Sequence, residues 1–219
     1  MNTRILTLLV AILLLAGCGR NETTTDNAKF DYHLDWNNAG LDVRLTLSHP
    51  QSDTLTLYYC NADFGGQTDI FTCVKNLKAE VCTVSPNSAH YRIRLYDFER
   101  QTVKLTYRIE QSLPDTNVDC PMEVFRPNMT EKMLYAMDNH IFFQPNVEDT
   151  VLLNAPMKVT WGCVPDFPVF CLYNPGHGTE DFEGRVADFV GTVILGDPLL
   201  HIDTMNYASV TNYVVTAPR

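Results

Sequence analysis

The chain alternates hydrophobic and polar residues over several short segments. Leucine or valine occupies every second position from Leu41 to Leu47, and a similar alternation recurs over Leu55–Tyr59, Tyr91–Leu95 and Val103–Ile109. Because successive side chains of a β-strand point to opposite faces, this spacing predicts strands with one buried and one solvated side. Antiparallel sheets tolerate such strands. The polar stretches 48–53 and 97–100 predict hairpin turns between them.

The second half of the chain contains shorter hydrophobic runs that are also typical of strands. These runs, which prolines separate, are His140–Gln144, Lys158–Trp161, Val169–Tyr173, Val190–Leu195 and Tyr213–Thr216. One stretch favours a helix, in which Thr130 caps Glu131–Met137. Many short strands with turn signals predict an all-β protein, specifically an antiparallel two-sheet β-sandwich with at most one short helix.

The first 17 residues predict an export signal. Arg4 supplies a positive charge, and Ile5–Leu15 is an apolar run of signal-peptide length that is too short to span a bilayer as a mature helix. The run leads into Leu15-Ala16-Gly17-Cys18, which resembles the lipobox of bacterial lipoproteins. The resemblance implies that Cys18 carries acyl chains after cleavage. The alternatives are an ordinary secretory signal and a short membrane anchor.

The signal divides the chain into three parts. Residues 1–17 form the signal peptide, residues 18–28 form a polar, flexible tether, and residues 29–219 form one β-domain. Gly19 occupies the position after the lipidated cysteine. An aspartate at that position would favour retention in the inner membrane. We therefore expect an outer-membrane lipoprotein that is attached to the membrane through acyl chains on Cys18. The sequence leaves the periplasmic and surface faces open.

Composition excludes two other classes of protein. The chain has 219 residues, of which 45% are hydrophobic, so it can bury a substantial core and is not a disordered tail. It has 26 acidic and 16 basic residues, a formal net charge of −10. Because nucleic-acid binding needs clustered lysine and arginine, which this sequence lacks, we expect no nucleic-acid partner.

Six cysteines remain after Cys18, in a compartment that favours disulfides. They are Cys60, Cys73, Cys82, Cys120, Cys163 and Cys171. Their pairing cannot be resolved from sequence. The shortest loops would be closed by the pairs Cys73–Cys82 and Cys163–Cys171. Free buried thiols are an alternative. Metal binding is disfavoured, because no Cys-x-x-Cys motif is present.

The order of segments from Leu41 to Arg219 resembles the N-terminal β-domain of M61 family peptidases, the glycyl-aminopeptidase-like metallopeptidases. The segments that carry this resemblance are His90–Leu95, Val103–Tyr107, Phe125–Asn128, Asp138–Pro145, Val159–Trp161 and Asn174–Gly178. The first two resemble the family's paired strands. The others resemble an aromatic strand that ends near proline, and a strand followed by a glycine-rich loop.

The resemblance does not extend to the family's zinc motif. In M61 peptidases the β-domain precedes a catalytic domain in which His-Glu-x-x-His on a helix binds zinc. No His-Glu pair occurs in this sequence. The resemblance therefore implies no zinc ligand, catalytic residue or cofactor in this chain, and we expect it not to be an enzyme.

Two positions are candidates for binding. His177 lies between two glycines in a loop, where a ligand or an acid–base role competes with an exposed turn. The acidic residues Glu180, Asp181 and Glu183 follow it and are typical of a solvated surface. Phe64, in the loop Asp63–Gly66, is the best position for an exposed aromatic contact.

Three hypotheses for function follow. The first is an accessory β-domain that binds or positions a peptide or protein partner, for instance through an exposed strand edge. The second is a stand-alone cell-envelope module that binds glycan or protein, in which Phe64 contributes to binding. The third is a truncated M61 aminopeptidase relative.

Overall fold

The structure, a computed structural model, describes residues 28–50, 52–59, 70–87, 92–111, 126–207 and 210–216. The signal segment, Cys18, most of the tether, Cys60, Phe64 and Cys120 lie outside the described residues. The strands that the structure describes are β1 (Lys29–Trp36), β2 (Gly40–Ser48), β3 (Thr54–Tyr58), β4 (Val74–Glu80), β5 (Thr83–Asn87), β6 (Arg92–Tyr96), β7 (Val103–Glu110), β8 (Asn128–Thr130), β9 (Met133–Met137), β10 (Pro156–Cys163), β11 (Val169–Cys171), β12 (Phe182–Arg185), β13 (Val193–Gly196), β14 (His201–Tyr207) and β15 (Val210–Thr216).

The predicted all-β class is confirmed, although the helix content differs from the prediction. Within the described ranges there are three α-helices of four residues each instead of at most one. They are α1 (Asp138–Ile141), α2 (Thr150–Leu153) and α3 (Val186–Phe189). A single 3-10 turn spans Ile70–Cys73. No described helix is long and apolar enough to cross a bilayer.

The segment predicted as a helix, Glu131–Met137, is part of a β-hairpin, so that prediction is wrong. Strands β8 and β9 pair antiparallel, and the Thr130 hydroxyl accepts a hydrogen bond from the Lys132 backbone N–H in the turn between them. Leu134 and Ala136 are fully buried while their neighbours are not. This alternation fits a strand, and burial against neighbouring strands outweighs the local helix propensity.

The described strands form a sandwich-like arrangement of several sheets. The largest sheet has the order β12–β10–β1–β2–β7–β4, and a four-stranded sheet has the order β11–β13–β9–β8. A three-stranded sheet has the order β3–β6–β5, and β14–β15 is a hairpin. Among the strand pairs described, only β1 and β10 are parallel. Antiparallel pairing therefore dominates, as the alternating pattern predicts.

One core joins the three larger sheets. The alternating hydrophobic side chains of β1, β2 and β7 point to the inner face of the six-stranded sheet, where Leu34, Leu45 and Leu105 are fully buried. They belong to the same buried cluster as Ile93 of the three-stranded sheet and Ile194 of the four-stranded sheet. Residues of the opposite register, on the outer face, are polar or charged. This division is the cause of the period of two along the sequence.

A tight turn joins β1 to β2 at one end of the six-stranded sheet. Asn37 and Gly40 exchange backbone hydrogen bonds, and Asn38 and Ala39 between them both have positive φ angles of 46° and 58°. This geometry is that of the two-residue hairpin turns that match strand twist. The Arg108 guanidinium donates a 2.6 Å hydrogen bond to the Asn37 carbonyl and thereby ties the turn to β7.

Candidate binding cleft

A cleft of about 420 Å³ lies where the end of β3, helix α1 and the turn after α3 meet. Its lining includes Tyr58, Asp138, Gln144, Val147 and Val190. Ligand sites are commonly apolar concavities with a few convergent polar groups, and this cleft has that composition. It is the site that the described residues support best.

The floor of the cleft is formed by the segment 138–144, for which the sequence predicts a strand over His140–Gln144. Residues His140 to Phe143 are all fully buried. An extended strand would expose every second side chain, whereas a helical turn followed by a bend buries all four. The prediction of a strand over His140–Gln144 is therefore wrong: α1 ends at Ile141, and only Gln144 makes an isolated bridge, to Tyr58.

Two buried tyrosines of the six-stranded sheet hold this segment. The Tyr32 hydroxyl donates a 2.6 Å hydrogen bond to the Phe143 carbonyl, and the Tyr107 hydroxyl donates one of 2.6 Å to the Ile141 carbonyl. Burial raises the pKa of both hydroxyls, so each remains a protonated donor. Unpaired carbonyls in such a buried place would be costly. The tyrosines therefore fix the position of the floor.

Asp138 supports the cleft from below. Only 2% of the residue is exposed, and its Oδ2 accepts a 2.7 Å hydrogen bond from Gln144 Nε2. Backbone N–H groups of Asn139 and Gly191 also bond to the carboxyl. Burial raises the pKa of Asp138, while these hydrogen bonds oppose that rise. Because its oxygens are occupied by internal donors, Asp138 links the two walls of the cleft instead of presenting a proton to a ligand.

The rim of the cleft is apolar and exposed. Val147 is 68% exposed and Val190 is 43% exposed. Beside them, the backbone of Tyr58 exchanges two hydrogen bonds with Gln144, of 2.6 and 2.9 Å, which join the three-stranded sheet to the cleft floor. Exposed apolar side chains around a concavity are typical of binding surfaces.

His177 lies away from this cleft, in the turn after β11. Its Nδ1 lies 3.2 Å from Glu180 Oε2, and both side chains are mostly exposed. Gly176 and Gly178 have positive φ angles of 83° and 57°, which glycine adopts without strain. Asn174 closes the turn through a hydrogen bond from its amide to the Glu180 carbonyl. The residues described around His177 thus form a self-contained turn.

The acidic residues after His177 are partly paired. Lys158 Nζ lies 3.0 Å from Glu183 Oε1 and 3.8 Å from Asp181 Oδ2. These contacts agree with a solvated surface. In the part of the chain that the structure describes, no group of three or more histidine, cysteine or acidic side chains is placed to hold a metal ion.

Neither of the two short-loop disulfides is formed. Cys73 precedes β4 and Cys82 follows it, and a seven-residue strand rises roughly 23 Å at about 3.3 Å per residue. Cys163 is exposed at the end of β10, whereas Cys171 is buried in β11 of a different sheet, where burial raises its thiol pKa to about 12. A short separation in sequence therefore does not bring either pair together in space. The extended strand β4 separates Cys73 from Cys82, and Cys163 and Cys171 belong to strands of different sheets.

Comparison with known proteins identifies the fold. No protein-family model and no curated protein sequence matches the chain. Among solved structures, it is similar to the aminopeptidase N family protein of Idiomarina loihiensis, with a TM-score of 0.64 and 13% identity, over 88% of this chain and 32% of that one. The M1 zinc metallopeptidase of Deinococcus radiodurans has a TM-score of 0.40 and 12% identity, over 86% and 46% of the two chains. The leukotriene A4 hydrolase of Saccharomyces cerevisiae has a TM-score of 0.38 and 9% identity, over 85% and 30%.

At these identities the similarity shows the fold alone. The structural neighbours are N-terminal domains of M1 family aminopeptidases, whereas the sequence pattern resembles M61 peptidases. The comparison therefore supports the expected β-domain fold and does not show the M61 family. The chain spans about a third of the length of the Idiomarina protein.

Proposed function

We propose that this chain is a non-catalytic β-domain that binds or positions a peptide or protein partner, and that it resembles the N-terminal domain of M61 metallopeptidases. The observation that carries the proposal is the cleft above Asp138, with its exposed apolar rim and its fixed floor. The similarity to an aminopeptidase N family protein, which covers 32% of that protein, supports an accessory part of a peptidase architecture.

Binding fits the cleft better than turnover does. Asp138 is 2% exposed, and its carboxyl is occupied by internal hydrogen bonds. A general base needs to lie within hydrogen-bond reach of a substrate proton. The lining instead offers apolar contact from Val147 and Val190 around a small number of amide groups. Such a surface supplies affinity and orientation without chemistry.

Strand addition is disfavoured at two edges of the described sheets, those formed by β4 and β5. Edge strand β4 carries Lys75 and Lys78, which are exposed, and edge strand β5 carries Pro86. Charged residues and proline on an edge discourage pairing with another strand. The partner is therefore assigned to the cleft and not to these two edges.

The test uses the full chain and a peptide selected against it from a random peptide library. Val147→Asp should weaken binding of the selected peptide about tenfold, because a charge replaces an apolar rim contact. Val151→Asp is the matched control, since Val151 is 69% exposed, against 68% for Val147, and does not line the cleft. Equal effects of the two variants, failure to select any peptide, or zinc-dependent cleavage of aminoacyl substrates would overturn the proposal.

The location of the domain is part of the same proposal. We place it in the cell envelope as an outer-membrane lipoprotein anchored by acyl chains on Cys18, a placement that rests on the sequence. Wild-type protein should incorporate labelled palmitate and fractionate with outer membranes. Cys18→Ser should lose both properties, and a Cys18→Ser protein that is still labelled would contradict the assignment.

A further inference from the structure

The outer face of the three-stranded sheet carries two arginines on its central strand. Arg92 and Arg94 are two residues apart on β6, so their side chains share one face. In the register of the sheet, Arg94 lies opposite Thr56 of β3 and Ser85 of β5. Together with Thr54, these residues line a concavity of about 380 Å³. Among the described residues, its lining contains guanidinium and hydroxyl groups and no carboxylate.

Arg92 and Arg94 lack the ion pairs that several other arginines of the chain form. Arg44, Arg108 and Arg185 each contact an aspartate within 3.1 Å. Within the described residues, neither Arg92 nor Arg94 forms an ion pair or a hydrogen bond. The chain as a whole has a net charge of −10, so acidic side chains are available, yet none of those that the structure describes lines this concavity. Two like charges on one face repel unless an anion lies between or above them.

We propose that this face binds two carboxylates of an extended acidic peptide. Alternate residues on a strand are about 6.8 Å apart, and acidic side chains at alternate positions of an extended peptide have the same spacing. A guanidinium binds a carboxylate through two parallel hydrogen bonds, and the hydroxyls of Thr56 and Ser85 can donate to the same oxygens. The chemistry recognised is therefore the pair of carboxylates, with the spacing as the selective feature.

The arginine face adjoins the cleft. Arg92 lies directly opposite Tyr58 in the pairing of β6 with β3, and residues opposite each other share a face. Tyr58 also lines the cleft above Asp138. A peptide seated in the cleft can therefore continue across the two arginines. In this form the inference rests on the proposed function, because it names the chemistry of the same partner.

The experiment measures binding of the labelled peptide Glu-Thr-Glu-Thr-Glu to the full chain by fluorescence anisotropy. The peptide should bind at low salt, and R92Q combined with R94Q should weaken it at least about fivefold. The control R100Q removes an exposed arginine whose contact with Asp53 is 4.0 Å long, and it should leave binding unchanged. The peptide Gln-Thr-Gln-Thr-Gln should not bind, and raised salt should weaken the acidic peptide.

The outcomes separate this inference from the proposed function. Equal binding to the double variant and to R100Q overturns the inference. Arginine-dependent binding of inorganic phosphate without binding of the acidic peptide overturns it as well, since the site would then recognise an isolated anion. If Val147→Asp weakens the library-selected peptide while the double variant binds Glu-Thr-Glu-Thr-Glu normally, the proposed function stands and the inference fails. If the arginine double variant weakens binding of both peptides and Val147→Asp weakens neither, the inference stands and the cleft is not the binding site.

Discussion

The outer faces of the six-stranded and three-stranded sheets carry the same kinds of residue but differ in how charge is compensated. On the six-stranded sheet, most basic side chains lie near carboxylates of neighbouring strands or alternate positions, in the pairs Lys29–Asp31, Arg44–Asp35, Lys104–Glu80, Arg108–Asp42 and Lys158–Glu183. On the three-stranded sheet, Arg92 and Arg94 form no ion pair with a described carboxylate, and the concavity beside them is lined by hydroxyl groups.

This difference separates structural charge from charge available for binding. A basic residue that already contacts a carboxylate gains little from a second anion, whereas an unpaired guanidinium gains the whole interaction. Exposed pairs themselves contribute little to stability. Apart from Lys75 and Lys78 on its edge strand β4, the large sheet is therefore largely compensated internally, whereas Arg92 and Arg94 are compensated only when an anionic partner is present.

The largest expected effect concerns Arg108, the most enclosed of the paired arginines, with 16% of its side chain exposed. It donates to Asp42 at 3.0 Å, to Glu110 at 2.7 Å and to the Asn37 carbonyl at 2.6 Å. Arg108→Leu should lower the free energy of unfolding by about 2 kcal/mol, the loss expected for hydrogen bonds to charged groups. Urea denaturation monitored by circular dichroism measures this change.

Arg94→Leu is the matched variant on the other sheet. Because Arg94 is exposed and contacts no carboxylate among the described residues, its replacement should change the free energy of unfolding by less than about 0.5 kcal/mol. If Arg94→Leu and Arg108→Leu lowered the free energy of unfolding by similar amounts, the difference in ion pairing between the two faces would not affect stability.

A second prediction extends the contrast to carboxylates. Burial raises the pKa of Asp138, and the hydrogen bonds that oppose this rise come from Gln144 and from backbone N–H groups, not from a basic side chain. The native state then holds this proton more tightly than the unfolded chain does. The contribution of Asp138 to the free energy of unfolding should therefore decrease as pH rises from below the ordinary value of 3.8 through the raised native pKa. Asp138→Asn cannot ionise and should lack this decrease.

Asp188 should behave in the opposite way. Hydrogen bonds from Arg185 lower the pKa of Asp188, so its stabilising contribution is present above 3.8 and is lost as pH falls through the lowered value. Denaturation from about pH 3 to pH 7 compares wild type with Asp138→Asn and Asp188→Asn. If the difference in free energy of unfolding between wild type and variant changed with pH in the same direction for Asp138→Asn and Asp188→Asn, the contrast between Asp188, which is paired with Arg185, and Asp138, which has no basic partner, would be refuted.

The smallest expected effect comes from converting the unpaired face into a paired one. Arg94→Glu places a carboxylate beside Arg92 and should raise the free energy of unfolding by no more than about 0.5 kcal/mol, the value of an exposed pair. It should also abolish binding of the acidic peptide. Thermal denaturation and fluorescence anisotropy test the two parts, and undiminished peptide binding would contradict the role of Arg94.

Several strands of the six-stranded and three-stranded sheets follow from local pattern. Strands β2, β6 and β7 are recognisable from alternation, because each has one face in the core and one in solvent. Segments buried on all sides carry no such signal. His140–Phe143 has the texture of a strand but forms a turn and a bend, since the tyrosines that hold it come from β1 and β7, which are distant in sequence.

The candidate sites were less accessible to sequence analysis. Arg92 and Arg94 lie on the polar side of a predicted strand, but their lack of partners depends on the residues that β3 and β5 place beside them. Asp138 is part of a segment that resembles the family, yet the hydrogen bonds to its carboxyl come in part from Gly191, which is distant in sequence. His177 could be located in a glycine-rich turn from sequence alone, because positive φ angles at glycine are a local property. Cys18 and Phe64 stay predictions.

The two tyrosine hydroxyls that reach from the large sheet to the 138–144 segment have a consequence for affinity. They attach the cleft floor to the six-stranded sheet, the largest sheet that the structure describes. A ligand that enters the cleft therefore meets a preorganised surface and does not have to immobilise it. The entropy loss on association then falls mainly on the ligand, and a conformationally restricted peptide should gain more affinity here than it would on a flexible loop.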